Sequence, residues 1–350
     1  MLSFDVCECG APLQRMERET PKPKGAEVLL KVLAAGVCHS DLHIWDGYYD
    51  IGGGQKLKLL DRGIKLPLTM GHENVGEVVA VGPEARGVSV GGVRLIHPWM
   101  GCGECMVCKR GEENLCLKPC SVGVHRSGGF ATHLLVPHAR YLFDIGGIAP
   151  ERAAPLACSG VTAYGALKKV SETLKDEPVV MIGAGGVGLM ALALHAKMGG
   201  KRAIMVDIDP AKREAAKRAG AEVIDGGAKD ALDQVRAATG GGSWATIDFV
   251  GAGPTVKLGV DAAIKGGKVI VVGLFGGDVV VPTPFFPIKA MTIQGSYVGS
   301  LPEIAELLDL VKRKGAPDVP VATRPLDQVN AALNDLRDGK VVGRVVMQPA

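Results

Sequence analysis

The sequence predicts an α/β fold: an open, doubly wound parallel sheet joined to a second, mainly β domain that is discontinuous along the chain. Three observations carry this. At 350 residues the chain is longer than one hydrophobic core usually fills, so two domains are expected. Near Pro155 the pattern changes, from short β-branched runs separated by glycine to apolar runs that alternate with helical stretches. A glycine-rich turn, Gly183 to Gly188, then stands between one such run and a helix.

Composition removes several function classes. Lys+Arg is 40 and Asp+Glu is 37, a formal charge of +3, which gives no electrostatic case for nucleic acid or an anionic membrane. Apolar residues at 47% and charged residues at 22% exclude a disordered chain. The longest uncharged apolar run, Pro178 to Leu194, nearly reaches the length of a membrane span, but its central glycines suit a strand, turn and helix better. The start, MLSFDVCECGAP, lacks a basic stretch followed by an apolar one, so a cytoplasmic protein is expected.

The elements follow in order. From Glu27 to Tyr141, VLLKVLAAGV, GEVVAVG and GGVRLIHP read as strands of a partly antiparallel region. Beyond Pro155 come PVVMIG, AIMVDID, AEVID, TIDFVG, KVIVVGL and MTIQGSY, whose alternation with helices predicts the parallel sheet. One helix has clear ends: Asp209 as N-cap, Pro210 in the first turn and Gly220 past the last. The tail from Leu301 is too short for a domain and is expected to pack back on the first region. The resulting division is 1–152 with 297–350, including a cysteine-rich lobe at about 98–120, and 153–296.

Gly183-Ala184-Gly185-Gly186-Val187-Gly188 fits G-x-G-x-x-G directly after a strand, the Rossmann-type fingerprint. The first glycine allows a tight turn, the second lets backbone approach a pyrophosphate, and the third lets helix pack on strand. The helix N-terminus offers free N–H groups to the phosphate. Asp207 lies nineteen residues past Gly188, where a carboxylate binds the adenosine ribose hydroxyls and repels a 2′-phosphate. NAD is therefore favoured over NADP. Asp209 is a rival for that role, and the nearby Arg213 leaves some NADP tolerance open.

Nine cysteines are more in keeping with metal ligands or thiols than with disulfides. Cys102-x2-Cys105-x2-Cys108-x7-Cys116 suits a closed tetrahedral zinc site, with Cys120 as an alternative fourth ligand. An iron–sulfur reading fails because position 112 is Glu112 where a cysteine is needed. Cys38, His72 and Cys158 make up the protein ligand set of a catalytic zinc, which leaves one position open. Each alone reads as core. Glu73 beside His72 and Asp41 near Cys38 are suited to orienting those ligands.

Gly71-His72-Glu73-x2-Gly76-x5-Gly82 resembles the signature of zinc-containing, medium-chain alcohol dehydrogenases, and the resemblance covers essentially the whole chain. It extends to the microbial tetrameric members and an archaeal branch, which share GIKLPLTMGHE and PLACSGVTAYGAL. It implies a GroES-like catalytic domain and two zinc ions per subunit, catalytic at Cys38, His72 and Cys158 and structural at the four-cysteine lobe. The assembly implied is a homotetramer, or else a homodimer. Ser40 matches the hydroxyl that takes the alcohol proton and His43 the histidine at the solvent end of that relay. His39 and Arg344 match pyrophosphate contacts, Lys212 the adenosine-ribose lysine, and Thr162 a contact near nicotinamide. Trp45 and Trp99 match walls of the substrate pocket, which these two and Leu274 and Phe275 would make apolar. One departure is the thirty-three residues between Cys38 and His72, more than in the animal and yeast enzymes, with the extra loop at about Gly52 to Leu66.

The implied reaction is reversible oxidation of a primary or secondary alcohol, with hydride passing to NAD from a zinc-bound alkoxide. Polyol or threonine dehydrogenases would need polar pocket groups. A zinc-free enone reductase would not need Cys38, His72 and Cys158, and an NAD-sensing protein would need only the glycine loop and the structural metal. Two zinc ions per chain favour the dehydrogenase, one the alternatives.

Overall fold

The computed structural model describes residues 1–349. Its centre is a six-stranded sheet in the order Glu222–Asp225, Ala203–Asp207, Val179–Ile182, Ser243–Asp248, Ala263–Val271 and Thr292–Gly295. Every pairing in it is parallel. All six runs expected from the sequence form strands. The order reverses direction between Val179–Ile182 and Ser243–Asp248, and this switch point is where an open α/β sheet opens a crevice at its carboxyl ends. The long apolar run divides as its glycines require, into the strand Val179–Ile182, a turn, and the helix Gly186–Lys197. Among the described residues no helix is long and apolar enough to cross a membrane.

The helix Pro210–Arg218 begins as expected, with the Asp209 carboxylate accepting from the Ala211 and Lys212 N–H groups at 2.8 and 3.3 Å. Gly220, just past its end, adopts φ +93°.

The other region is built on the strand Val28–Val37. It pairs antiparallel with Glu73–Val81, with His133–Val136 and with the C-terminal strand Arg344–Gln348. A strand pairing between residues more than 300 positions apart in the chain fixes the tail against the first region, as expected; Val345 sits opposite Val37. Two large cores result. One holds the parallel sheet and its helices and takes in Cys38, Trp99 and Cys158; the other fills the β region and takes in Trp45.

The extra loop forms a small antiparallel ladder, Tyr48–Asp50 with Lys56–Lys58, and a short turn of helix at Leu60–Arg62. Leu59 and Ile64 are buried in the β-region core. Its tip crosses to the parallel-sheet domain, where Gly52 abuts Asp278 and Gly276 abuts Asp50.

Candidate active site

Three chain turns converge at the crevice. Cys38 follows the strand Val28–Val37 and is the N-cap of the helix His39–Asp46. His72 leads into the strand Glu73–Val81, and Cys158 is the N-cap of the helix Ser159–Lys168. Ligand atoms of Cys38, His72, Glu73 and Cys158 all lie within 4.8 Å of one another, and all four residues are buried.

Asp41 orients two members of this cluster. Its Oδ2 accepts from the Cys38 N–H at 2.9 Å, and its Oδ1 lies 3.1 Å from His72 Nδ1. A proton held on Nδ1 by that carboxylate leaves Nε2 as a lone-pair donor. Among the described residues Nε2 is buried without a partner. An unpaired acceptor beside two thiols is costly unless a metal takes it. The Cys158 hydrogen bond lowers the Cys38 pKa and raises that of Cys158, as two sulfurs sharing one proton would do. This donor set fits zinc.

Glu73 is more deeply engaged than an orienting group. Burial pushes its pKa up to about 7. One carboxylate oxygen accepts from the Ser159 N–H at 3.2 Å, and the other pairs with the buried Arg344 guanidinium. Space for it comes from Gly36, where any Cβ would collide with the Glu73 carboxylate. Arg344 in turn lies under Gly186, so it links the metal cluster to the glycine turn.

In that turn Gly183 adopts φ +96°, and a Cβ on Gly188 would strike the Gly183 carbonyl oxygen. Around Gly185 a Cβ would meet nothing within 4 Å, so the backbone there is open to a ligand at the N-terminus of Gly186–Lys197. Val187 is half-buried in the first turn of that helix. Asp207 stands at the end of its strand, with its carboxylate accepting from the Ala184 and Asp209 N–H groups at 2.6 and 2.8 Å. Asp209, the rival, is used in capping its helix. Lys212 lies 3.9 Å from Asp209 on that helix. Thr162, one turn past Cys158, is buried with its hydroxyl unpartnered among the described residues.

A second cluster gathers Cys102, Cys105, Cys108 and Cys116 within the same 4.8 Å limit. Cys120 is outside it, its thiol directed at the Met100 and Gly101 carbonyl oxygens. The lobe is tied to the body by Glu113, which accepts from the Tyr141 hydroxyl at 2.7 Å and from Arg140 at 3.1 Å.

Residues 24–146 match the family model described as alcohol dehydrogenase GroES-like domain, and residues 186–313 match that described as zinc-binding dehydrogenase. An NAD-dependent alcohol dehydrogenase of Sulfurisphaera tokodaii is 37% identical over 351 residues, all of both chains. The chain belongs to the zinc-binding alcohol dehydrogenases. A second relative in this family, the NAD-dependent alcohol dehydrogenase of Saccharolobus solfataricus, is 36% identical over all of both chains. Among solved structures, the alcohol dehydrogenase of Aeropyrum pernix superposes with TM-score 0.88 at 32% identity, again over all of both chains.

Against this family background the helix His39–Asp46 separates two groups of residues. His39, Ser40 and His43 share one face by their spacing, and the His39 and His43 rings meet edge to face at 5.6 Å. Burial and the neighbouring His39 push the His43 pKa down to about 4. Trp45 is no pocket wall, contrary to expectation. Two residues past His43 is about 200° around the helix, which turns the indole away from the crevice. Its Nε1 donates to the Ala11 carbonyl and its ring stacks under Arg337, 4.1 Å away. Trp99 does reach the site, 5.3 Å from the His72 ring.

Two residues of this site carry no local signal in the sequence. Tyr49 packs on His43 at 4.7 Å, brought back by the turn after the helix. Tyr297 packs on Trp99 at 6.1 Å, brought there as the chain leaves the strand Thr292–Gly295. A cleft of about 460 Å³ beside Tyr297 is lined by Leu115, Val271, Val272 and Leu274 with Asn114, Lys169, Gln294 and Ser296; Cys38, Ser40, His43, His72, Trp99 and Cys158 do not line it. Phe275 is 65% exposed, because the loop after the strand Ala263–Val271 carries it off the sheet.

Proposed function

We propose that this chain oxidises primary or secondary alcohols to aldehydes or ketones, reversibly, with NAD as hydride acceptor. The observation that carries the reading is His72, whose Nδ1 is committed to Asp41 while Nε2 faces two buried thiols. Zinc held by Cys38, His72 and Cys158 supplies a Lewis acid that makes an alcohol hydroxyl more acidic, and NAD supplies the acceptor at the carboxyl ends of the parallel strands.

The protein's own residues do the rest. Ser40 takes the alcohol proton, and His43, neutral because burial holds its pKa near 4, passes it towards water. Trp99 and Tyr297 bound the substrate beside the metal. Gly183, Gly185, Gly186, Val187 and Gly188 receive the pyrophosphate with His39 and Arg344; Asp207 and Lys212 hold the adenosine ribose, and Thr162 the nicotinamide end. Cys102, Cys105, Cys108 and Cys116 bind a second, structural zinc, two per subunit in all.

The catalytic domain is 1–152 with 297–350, and the dinucleotide-binding domain 153–296. The enzyme works in the cytoplasm as a homotetramer or homodimer. Thr292–Gly295 is an edge strand, and the segment before it exposes Val280, Phe285, Phe286 and Ile288; this unpaired edge with its apolar surface supports the assembly.

The test is zinc content by elemental analysis together with a panel of simple alcohols, polyols and carbonyl compounds, assayed with both nicotinamide cofactors. Two zinc ions and NAD-linked turnover of alcohols are expected. One zinc ion with reduction of enones only would overturn the proposal.

A further inference from the structure

Arg213 stands in the first part of the helix Pro210–Arg218 and reaches back over the strand ends. Its Nη1 donates to the Asp207 carbonyl oxygen at 2.9 Å and lies 3.1 Å from Asp225 Oδ1. Asp207 and Asp225 are register partners at the carboxyl ends of adjacent parallel strands. The guanidinium is therefore drawn to the edge where the two strands end side by side. Asp225 Oδ1 is itself fixed by the Gly227 N–H at 2.9 Å, so the acceptor is set by the backbone turn. The Arg213 side chain is 19% exposed, consistent with one held orientation rather than a free surface arginine.

A planar, permanently charged guanidinium beside the adenosine ribose is the group a 2′-phosphate would use. Here it is occupied. The charges around it are the carboxylates of Asp207, Asp209 and Asp225 and the ammonium of Lys212, which lies 3.9 Å from Asp209. We propose that Asp225 is a specificity-determining residue for the cofactor, a positioning residue that holds Arg213 away from a ribose 2′-phosphate. Selection of NAD then has two parts: Asp207 repels the phosphate, and Asp225 withholds the cation that would attract it. This rests on the reading of Asp207 as the ribose carboxylate.

The consequence is that removing Asp207 alone gives an incomplete switch. The test compares the unmodified enzyme, Asp207→Ser, Asp225→Asn, the double variant, and the double variant with Arg213→Ala. Dissociation constants for NADP and NAD are measured by calorimetry on the metal-loaded enzyme. Asn is used at 225 because it removes the negative charge that pairs with Arg213 while its oxygen still accepts from the Gly227 N–H, and NAD binding by each variant reports its fold. Asp207→Ser is expected to raise relative NADP affinity about tenfold, and adding Asp225→Asn about tenfold more. Arg213→Ala should cancel the second gain. A purely structural role for Asp225 would weaken both cofactors alike and leave the ratio unmoved, which overturns the proposal. So does a second gain that survives Arg213→Ala. If Asp207→Ser does nothing while Asp225→Asn raises the ratio through Arg213, the role given to Asp207 fails and that of Asp225 stands.

Discussion

Replacing Asp41 by Asn changes one atom and sets two hydrogen bonds in conflict. The carboxylate accepts at both oxygens, from Cys38 N–H at 2.9 Å and from the His72 ring at 3.1 Å. An amide has one acceptor oxygen and one NH2 group. If the oxygen keeps Cys38, the NH2 group faces Nδ1, and His72 must shift its proton to Nε2, the atom directed at the thiols. If the oxygen keeps His72, the NH2 group opposes the Cys38 N–H. The first arrangement keeps both hydrogen bonds but puts a proton on the nitrogen that would hold the metal; the second loses one buried hydrogen bond and leaves two donors facing each other, a cost of about 1–3 kcal/mol. That corresponds to a loss of about 10- to 100-fold in affinity for the metal at Cys38, His72 and Cys158. Competition with a chromogenic zinc chelator reads this directly, because the four-cysteine cluster lacks Asp41 contacts and serves as an internal reference. One zinc ion should leave faster while the other is retained, with turnover falling in step with the first. Unchanged release of both ions would refute the orienting role of Asp41.

Trp45→Ala should cost about 3–5 kcal/mol of stability and leave the order of preferred alcohols unchanged, since the indole packs on Ala11 and Arg337. Trp99→Ala should instead raise efficiency on bulky alcohols relative to small ones; melting temperature and a series of alcohols separate the two. Cys102→Ser should release one zinc ion and lower the melting temperature, whereas Cys120→Ser should do neither. His97 is fully buried, and burial pushes its pKa down to about 3. The folded state then binds fewer protons than the unfolded state below pH ~6.5. Stability is complete above that value and falls as pH drops towards 3, by an amount on the order of 4 kcal/mol for this group. His97→Phe should flatten that acid limb in urea titrations run from pH 7 to 4, and an equally steep limb in the variant would count against it.

The periodic features were legible in one dimension. Six apolar runs gave six parallel strands, and the glycine turn fell between strand and helix, because spacing along the chain dictates both. The cysteine lobe was equally legible, since its ligands lie within one short loop and close spacing alone brings them together. For Cys38, His72 and Cys158 the sequence offered residue types without proximity; the strand pairing of Val28–Val37 with Glu73–Val81 and the packing of the helix after Cys158 decided that they meet. Trp45 shows the limit of proximity in sequence. It is two residues from His43, yet helix geometry turns it into the other core. Tyr49, Tyr297 and the Glu73–Arg344 pair were invisible for the opposite reason, as each meets its partner only through a turn, the chain's return after the parallel sheet, or a strand closing the chain's two ends. Local periodicity and spacing are set by backbone geometry and so can be read from residues in order. Which buried charge faces which partner depends on desolvation and packing, and those exist only once the chain has closed on itself.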